Sequence, residues 1–463
     1  MAARKKSAMT LVDQLACHAD TGGQHSLLDG DGRGTPPTEA ELDIPYASPS
    51  EPPLLECGVV YSADWKKFAD GMARHARAQA LALAAAGIGV RLQSISSEGM
   101  FLDSDVRSEV RDEVAHLTNV TMKSVMIAVR QAVFHSADFV RNLVVPAGGR
   151  LVDFELEQRI YQNTIIYTSL ERDRVSPVLI DIFKRCAELW VPCHQNAQAL
   201  VSSGMPEDKV HVIPYPYDPA GPVCKIPAPR GHERVPEGKR FYSIGKWEPR
   251  KNHAGLLMAF LRAFTPKDKA SLVLKVHGWG AWEGYPDIQQ ALTLCGEDPV
   301  VRANGWTDIN LRKRVKIITD KISDAEIVAL HAQNNIYVSA SHGEAWDLPA
   351  FDAKCAGNRL VHVGFGGSAD YADDADVWLG YRLKPVNKVY GWEECNWAEY
   401  DMEEMVASLR IAQPPTKRVH PKGFNARFSA HAVGEKMKDR ILRVAARSHV
   451  ELPAMLERAG SFG

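Results

Sequence analysis

Two acidic residues stand eight positions apart, Glu344 and Asp352, within the segment SHGEAWDLPAFDAKCAG at 341–357. Pro349 suits the first turn of a helix because its missing N–H is not needed there, and Gly357 suits the position just past a helix end. We therefore predict that Glu344 lies in a loop before a helix and that Asp352 lies in the helix body. Helix N-termini attract phosphate. The pattern predicts a sugar-nucleotide site, with one carboxylate for sugar hydroxyls and the other for ribose hydroxyls.

A second segment, GKWEPRKN at 245–252, carries two lysines, Lys246 and Lys251. It follows the apolar stretch FYSI and precedes the amphipathic run AGLLMAFLRAF, which predicts a strand, a loop and a helix. Taken alone, two loop lysines are ordinary surface charges. In this loop they can face a diphosphate, which gains negative charge as a glycosidic bond breaks and needs fixed cations.

Together the two segments resemble the retaining glycosyltransferases of the two-domain GT-B type, in the group called family 4. Glu344 and Asp352 match the family's E-x7-E signature, with Asp in place of the second Glu. Ala345 and Asp347 stand where the family usually has glycine, and Lys246 stands where Arg is commoner. The resemblance extends more weakly over roughly residues 57–445.

The resemblance implies roles for individual residues on the donor side. It places the diphosphate at Lys246 and Lys251, the sugar at Glu344 and the ribose at Asp352, and it makes the first three the catalytic residues. The sequence shows no carboxylate that must be a covalent nucleophile, and the resemblance implies that a donor phosphate oxygen takes the acceptor proton. The residues implied to bind the nucleotide sugar are Lys246, Lys251, Glu344, Leu348, Asp352, Gly366 and Gly367. The paired glycines of GFGGSAD permit close backbone approach to a ligand, and a plain turn is the alternative.

Candidate acceptor-side residues lie in the N-terminal half. Glu171 and Arg172, in YTSLERDR at 167–174, follow a predicted strand and could face the cleft, with a structural salt bridge as the alternative. His135 contacts the sugar or simply ends a strand. Gly71 corresponds to the glycine that approaches the diphosphate in the family's first loop.

Alternating strand and helix patterns predict an α/β protein with parallel sheets. The resemblance implies the GT-B architecture: two Rossmann-like α/β/α domains that face a central cleft, with a C-terminal helix that crosses back to the first domain. The predicted boundaries are a disordered tail at 1–52, an acceptor-side domain at 53–220, a linker at 221–239, a nucleotide-sugar domain at 240–427 and a helical segment at 428–463.

Composition excludes several classes of function. The chain has 463 residues and a formal net charge of −2, so no overall field favours nucleic acid or an anionic membrane. The eight cysteines form no C-x-x-C pair, and no window approaches the roughly 18 apolar residues that span a bilayer. We predict a cytoplasmic protein with reduced thiols. Asp103 and Asp105 form a D-x-D triplet, but no other feature supports a metal-dependent fold, so we predict no metal and no cofactor.

These observations predict an enzyme, a hexosyltransferase that moves a hexose from a nucleotide-diphosphate sugar to a hydroxyl acceptor with retention and without metal. The expected partners are the donor and a hydroxyl-bearing acceptor (glycan, protein or modified nucleobase), with no stable membrane insertion. A sugar-nucleotide epimerase or a phosphorylase of the same fold is an alternative. The departures at Asp347 and Asp352 keep a non-catalytic sugar-nucleotide binding protein open as another.

Overall fold

The computed structural model of the protein describes residues 54–66, 71–95, 106, 108–133, 154–217, 223, 237–278, 282, 284–386, 394–418 and 423–448. The predicted tail at 1–52, His135, the D-x-D triplet and most of the predicted linker lie outside these ranges.

The first half of the described chain forms a parallel sheet of six strands in the order β2-β1-β3-β4-β5-β6. Its strands are β1 (Leu54–Ala63), β2 (Val90–Ser94), β3 (Thr121–Val133), β4 (Thr164–Ser169), β5 (Glu188–Val191) and β6 (Val210–Val212). The helices between them are α1 (Gly71–Ala85), α2 (Ser108–Thr118), α3 (Phe154–Gln162), α4 (Pro177–Arg185) and α5 (His194–Ser202). Every residue of β4, TIIYTS, is buried, as expected for a parallel strand covered on both faces. We call this sheet and its helices the first lobe.

The second half forms another six-stranded parallel sheet, in the order β12-β11-β10-β7-β8-β9. Its strands are β7 (Lys239–Lys246), β8 (Ala270–His277), β9 (Val315–Ile318), β10 (Ile336–Ser339), β11 (Arg359–Val363) and β12 (Val377–Leu379). A separate antiparallel hairpin consists of β13 (Arg382–Pro385) and β14 (Asn396–Glu399). The helices are α6 (His253–Ala263), α7 (Ile288–Glu297), α8 (Pro299–Ala303), α9 (Asp308–Arg314), α10 (Asp324–Gln333), α11 (Leu348–Cys355), α12 (Ser368–Tyr371) and α13 (Met402–Ile411). We call this half the second lobe.

The C-terminal helices return the chain to the first lobe, as predicted. They are α14 (Phe424–Phe428) and α15 (Ala430–Ser448). Val433, Met437 and Ile441 of α15 are buried in the core of the first sheet. Gly434 makes this packing close, because a Cβ built on it would lie 2.2 Å from the carbonyl oxygen of Ala82 in α1.

The two passages of the chain between the lobes lie side by side. The N–H of Tyr217, after β6, donates to the carbonyl of Phe428 at 2.5 Å, and the N–H of Ala430 donates to the carbonyl of Tyr217 at 3.1 Å. Ser429, with a ψ of 151°, is not helical and separates α14 from α15 near the start of the segment predicted to be helical.

No helix within the described residues is both long and apolar enough to cross a lipid bilayer.

Candidate functional site

The two motifs found in the sequence meet at the carboxyl ends of neighbouring strands. β7 and β10 pair in parallel, so the loop after Lys246 and the loop after Ser339 leave the same edge of the sheet. The first loop ends at Asn252, which has a φ of 50° and caps α6 by accepting a hydrogen bond from the N–H of Gly255. The second ends at Asp347, which has a φ of 61° and precedes α11. Ligands of open α/β sheets bind at this edge.

Helix α11 begins and ends where the sequence predicted. Pro349 lies in its first turn, and Gly357, with a φ of 74°, follows its last turn. Glu344 therefore lies in the loop and Asp352 in the helix, as expected. Both are almost fully buried.

Lys251 and Glu344 form an ion pair at the centre of this edge. The Lys251 ammonium donates to Oε1 of Glu344, and their side chains are 15% and 9% exposed. Burial alone would raise the pKa of Glu344, but Lys251 and Arg250 together hold it below its usual value. Glu344 is therefore a carboxylate at neutral pH and can accept hydrogen bonds from sugar hydroxyls.

Arg250 contacts three acidic side chains of the site, although no sequence pattern indicated a role for it. Its guanidinium contacts Glu344 at 3.2 Å, Glu248 at 2.8 Å and Glu171 at 3.1 Å. It also donates to the carbonyl of Gly343 at 2.8 Å. The only available signal was its place between Lys246 and Lys251 in a loop that already carried the expected basic pair.

Asp347 is a buried acid at a position where the resembling family has glycine. Its left-handed backbone explains that preference, and Asp is among the few other residues that tolerate it. The hydroxyl of Ser339 donates to Oδ2, while Oδ1 has no hydrogen-bond partner within the described part of the chain. Burial and the nearby Glu344 raise the pKa of Asp347 to about 6. Asp347 borders a cavity of about 10 Å³, close to the smallest volume that can hold a water molecule, and Lys251 and His253 also line this cavity.

Lys246 differs from Lys251 because it is exposed. It ends β7 opposite His277 of β8 and forms no ion pair with any residue that the structure describes.

Asp352 is occupied by an arginine from the first lobe. Arg74, in α1, donates from Nη1 to Oδ2 at 2.7 Å and from Nη2 to Oδ1 at 3.1 Å. The Arg74 side chain is 49% exposed and that of Asp352 8%. The carboxylate predicted to bind ribose is thus already in a bidentate pair.

The predicted glycines and Leu348 lie around the same loop. A Cβ on Gly366, which has a φ of 96°, would lie 2.1 Å from the carbonyl oxygen of Glu344, and one on Gly367 would lie 2.4 Å from Cα of Trp346. These glycines allow close packing against the Glu344 loop. Leu348 starts α11 and faces Gly71, the exposed first residue of α1, with 3.8 Å between its Cδ2 and a Cβ built on the glycine.

Glu171 lies at the lobe interface, where it contacts Arg250. The neighbouring Arg172 accepts a hydrogen bond at its carbonyl from Gln195 at 3.2 Å. Arg250 therefore links Glu171 to Glu344, which in turn contacts Lys251. The anticipated salt bridge of Glu171 exists, and it joins the two lobes.

Aromatic rings also join the lobes. His75 of α1 stacks on Tyr215 with 3.4 Å between ring centroids, and Tyr215 stacks on Trp346 of the second lobe at 5.5 Å. Trp346 is 2% exposed. The lobes are thus in direct contact beside the Glu344 loop.

Two further observations concern where a metal ion or a ligand could bind. Among the described residues, no group of three or more His, Cys, Asp or Glu side chains is arranged to hold a metal ion. A cavity of about 580 Å³, lined by Lys239, Phe264 and Arg410 among others, lies at the amino ends of β7 and β8. That edge is opposite to the one at which such sheets bind ligands.

No protein-family model and no curated protein matches this sequence. Solved structures do resemble it. The α,α-trehalose 6-phosphate synthase of Burkholderia multivorans superposes with a TM-score of 0.52 at 14% identity, over 85% of this chain and 99% of that one. HepE of Anabaena, in complex with UDP and glucose, gives 0.48 at 11% identity, over 83% and 100%. A glycosyltransferase of Rickettsia africae gives 0.47 at 11% identity, over 88% and 99%.

The fold is therefore GT-B: two Rossmann-like domains that face a central cleft, with the C-terminal helix crossing back. This confirms the predicted fold class. The boundaries assigned to the domains and the roles assigned to individual residues stay predictions.

Proposed function

We propose that the protein is a glycosyltransferase that moves a hexose from a nucleotide-diphosphate sugar to a hydroxyl acceptor, with retention and without a metal ion. The observation that carries this proposal is the pairing of Lys251 with Glu344 at the carboxyl ends of β7 and β10. It sets a fixed cation beside a fixed sugar-binding carboxylate at the edge of a GT-B sheet. The Burkholderia protein that shares the fold is a synthase of a sugar phosphate, which supports carbohydrate chemistry.

The two lysines of the site have separate roles in the proposed reaction. The bond from the anomeric carbon to the diphosphate oxygen breaks, and the departing oxygen gains negative charge. Lys251 uses one of its three donors on Glu344 and has two left for phosphate, while the exposed Lys246 supplies a second cation. The acceptor oxygen bonds to the anomeric carbon on the same face, and its proton passes to a phosphate oxygen of the donor. No protein nucleophile is required.

The proposed site of action is the cytoplasm. Cys186, Cys193 and Cys295 are buried free thiols, which supports a reducing compartment.

A non-catalytic sugar-nucleotide binding protein is the second candidate, because the chain departs from the family pattern at two acids of the site. Asp347 stands where the family has glycine, and Asp352 stands where it has Glu. Arg74 occupies both oxygens of Asp352, so the ribose of a donor would have to share or displace this pair in either candidate.

Release of nucleoside diphosphate from UDP-, GDP-, ADP- and TDP-sugars, each with and without EDTA, tests the proposal. Purified protein is incubated with each donor, alone and with a panel of hydroxyl acceptors. We expect slow release from one donor, unchanged by EDTA and accelerated by an acceptor. Binding of a nucleoside diphosphate without any release would instead support the binding protein, and loss of release in EDTA would contradict metal independence.

A further inference from the structure

Arg250 touches both lobes at once. On the second lobe it contacts Glu344 and Glu248, and on the first lobe its Nε lies 3.1 Å from Oε2 of Glu171. Its side chain is 11% exposed. An arginine with this many acceptors cannot turn toward one of them without giving up another, because its planar fork fixes the directions of its N–H groups.

The first-lobe partner belongs to a loop that is docked on the second lobe. A Cβ on Gly343 would lie 2.1 Å from the carbonyl oxygen of Glu171, so the backbones of the two loops touch. Two residues further on, the N–H of Asp173 donates to the carbonyl of Asn396 in β14 at 3.0 Å, and the Asp173 carboxylate accepts from the backbone N–H and the side-chain amide of Asn396 at 2.6 and 2.9 Å. The ion pair to Arg250 is thus part of a continuous interface, in contrast to a chance contact of two surface side chains.

The charges make this interface depend on Arg250. Glu171, Glu248 and Glu344 converge on one guanidinium. Burial raises the pKa of Glu171, Arg250 opposes that effect, and the like charge of Glu344 adds to it. Without Arg250, these three carboxyl groups would lose the cation that they share, and the repulsion among those that stay ionised would weaken the contact between the lobes.

We propose that Arg250 is a positioning residue that couples the donor-side carboxylate Glu344 to the acceptor-side loop carrying Glu171. Closing the lobes places Glu171 on the guanidinium, and the guanidinium then fixes Glu344 beside Lys251. The donor-side carboxylate and the acceptor-side loop therefore reach their positions together, when the lobes close. What these two sides bind rests on the function proposed above, but the coupling itself does not.

The first measurement needs no activity. Val178 in the first lobe and Ile309 in the second are 52% and 68% exposed, so cysteines there can carry spin labels. The background has serine in place of Cys57, an exposed thiol, and of Cys17 and Cys224, which lie outside the described residues. We expect one narrow distance distribution for the parent protein. Arg250→Gln and Glu171→Gln should each broaden it toward longer distances, and the double variant should match Arg250→Gln. Unchanged distributions in both single variants would overturn the proposal.

The second measurement separates positioning from plain stability. With a donor identified, Glu171→Gln, which leaves the donor-side contacts of Lys251 untouched, should lower kcat about tenfold with little change in the donor KM, since the ion pair between Glu171 and Arg250 is lost. The control Arg382→Gln breaks an exposed pair with Glu399 in the hairpin and should leave kcat unchanged. Effects of Glu171→Gln and Arg250→Gln that multiply independently would overturn the coupling. If the parent protein releases no nucleotide from any donor, the proposed function fails, and the distance distributions still decide the coupling.

Discussion

The pair between Arg74 and Asp352 predicts that removing Arg74 tightens the binding of a nucleoside diphosphate. Both oxygens of Asp352 accept hydrogen bonds from Arg74. If the ribose hydroxyls take the positions on Asp352 that the guanidinium now holds, at least one of these bonds breaks when the nucleotide binds. The free energy of that step opposes binding in the wild-type protein and is absent in Arg74→Ala.

The size of this change in affinity follows from how far the side chains of Arg74 and Asp352 are exposed to water. The Arg74 side chain is 49% exposed, so water screens its charge, whereas Asp352 is 8% exposed. An ion pair with one exposed partner contributes between about 0.2 and 1 kcal/mol, and bidentate geometry favours the upper end. About 1 kcal/mol corresponds to an approximately fivefold lower Kd.

Isothermal titration calorimetry with the nucleoside diphosphate selected by the donor panel measures this change directly. Asp352→Asn should weaken binding, and Arg382→Ala, which removes an exposed arginine from Glu399 outside the cleft, should leave Kd unchanged. Weaker binding by Arg74→Ala would refute the reasoning, because Arg74 would then be a partner of the nucleotide.

Three other substitutions test the site and its support. Lys251→Ala should lower turnover about 100- to 1,000-fold, as for the loss of one donor to a developing negative charge, and near-normal product release would exclude its proposed role. The pKa of Asp347 is raised from 3.8 to about 6 in the folded protein, so the folded protein binds a proton at Asp347 more tightly than the unfolded chain does. The stability that this proton contributes is present below about pH 4 and is lost as pH rises through 6. In urea unfolding, the stability of wild type minus that of Asp347→Asn should therefore fall between about pH 4 and 6 and then level off; a difference that is constant with pH contradicts this. Trp346→Ala, which removes a 2% exposed ring, should lower the free energy of unfolding by about 3 to 5 kcal/mol, and a loss below about 1 kcal/mol would show that the lobe contact matters little.

The parallel sheets could be predicted because their strands are local patterns. TIIYTS in β4 and NIYVSAS around β10 are apolar runs of strand length, and each is followed by a loop and a helix. The bounds of α11 could be predicted for a similar reason, because the signals at its two ends, Pro349 and Gly357, lie within the segment itself.

The contacts between the lobes could not be predicted in this way. Arg74 and Asp352 are 278 positions apart, and neither carries a local signal for the other. Arg250 lies in a recognised loop, but its partner Glu171 comes from another sheet. The strand β13, RLKP, is exposed along its whole length and contains a proline, so its sequence is typical of a loop.

The return of α15 to the first lobe has a consequence for the order in which the protein is made. Val433, Met437, Ile441 and Val444 complete a core whose other members come from the first half of the chain. During synthesis, β1 to β6 therefore leave the ribosome long before the helix that covers them does. The second lobe, by contrast, can form from one continuous stretch of chain. The N-terminal half must wait with an uncovered apolar face until residues 430–448 emerge, which makes it the part that a nascent-chain chaperone would shield.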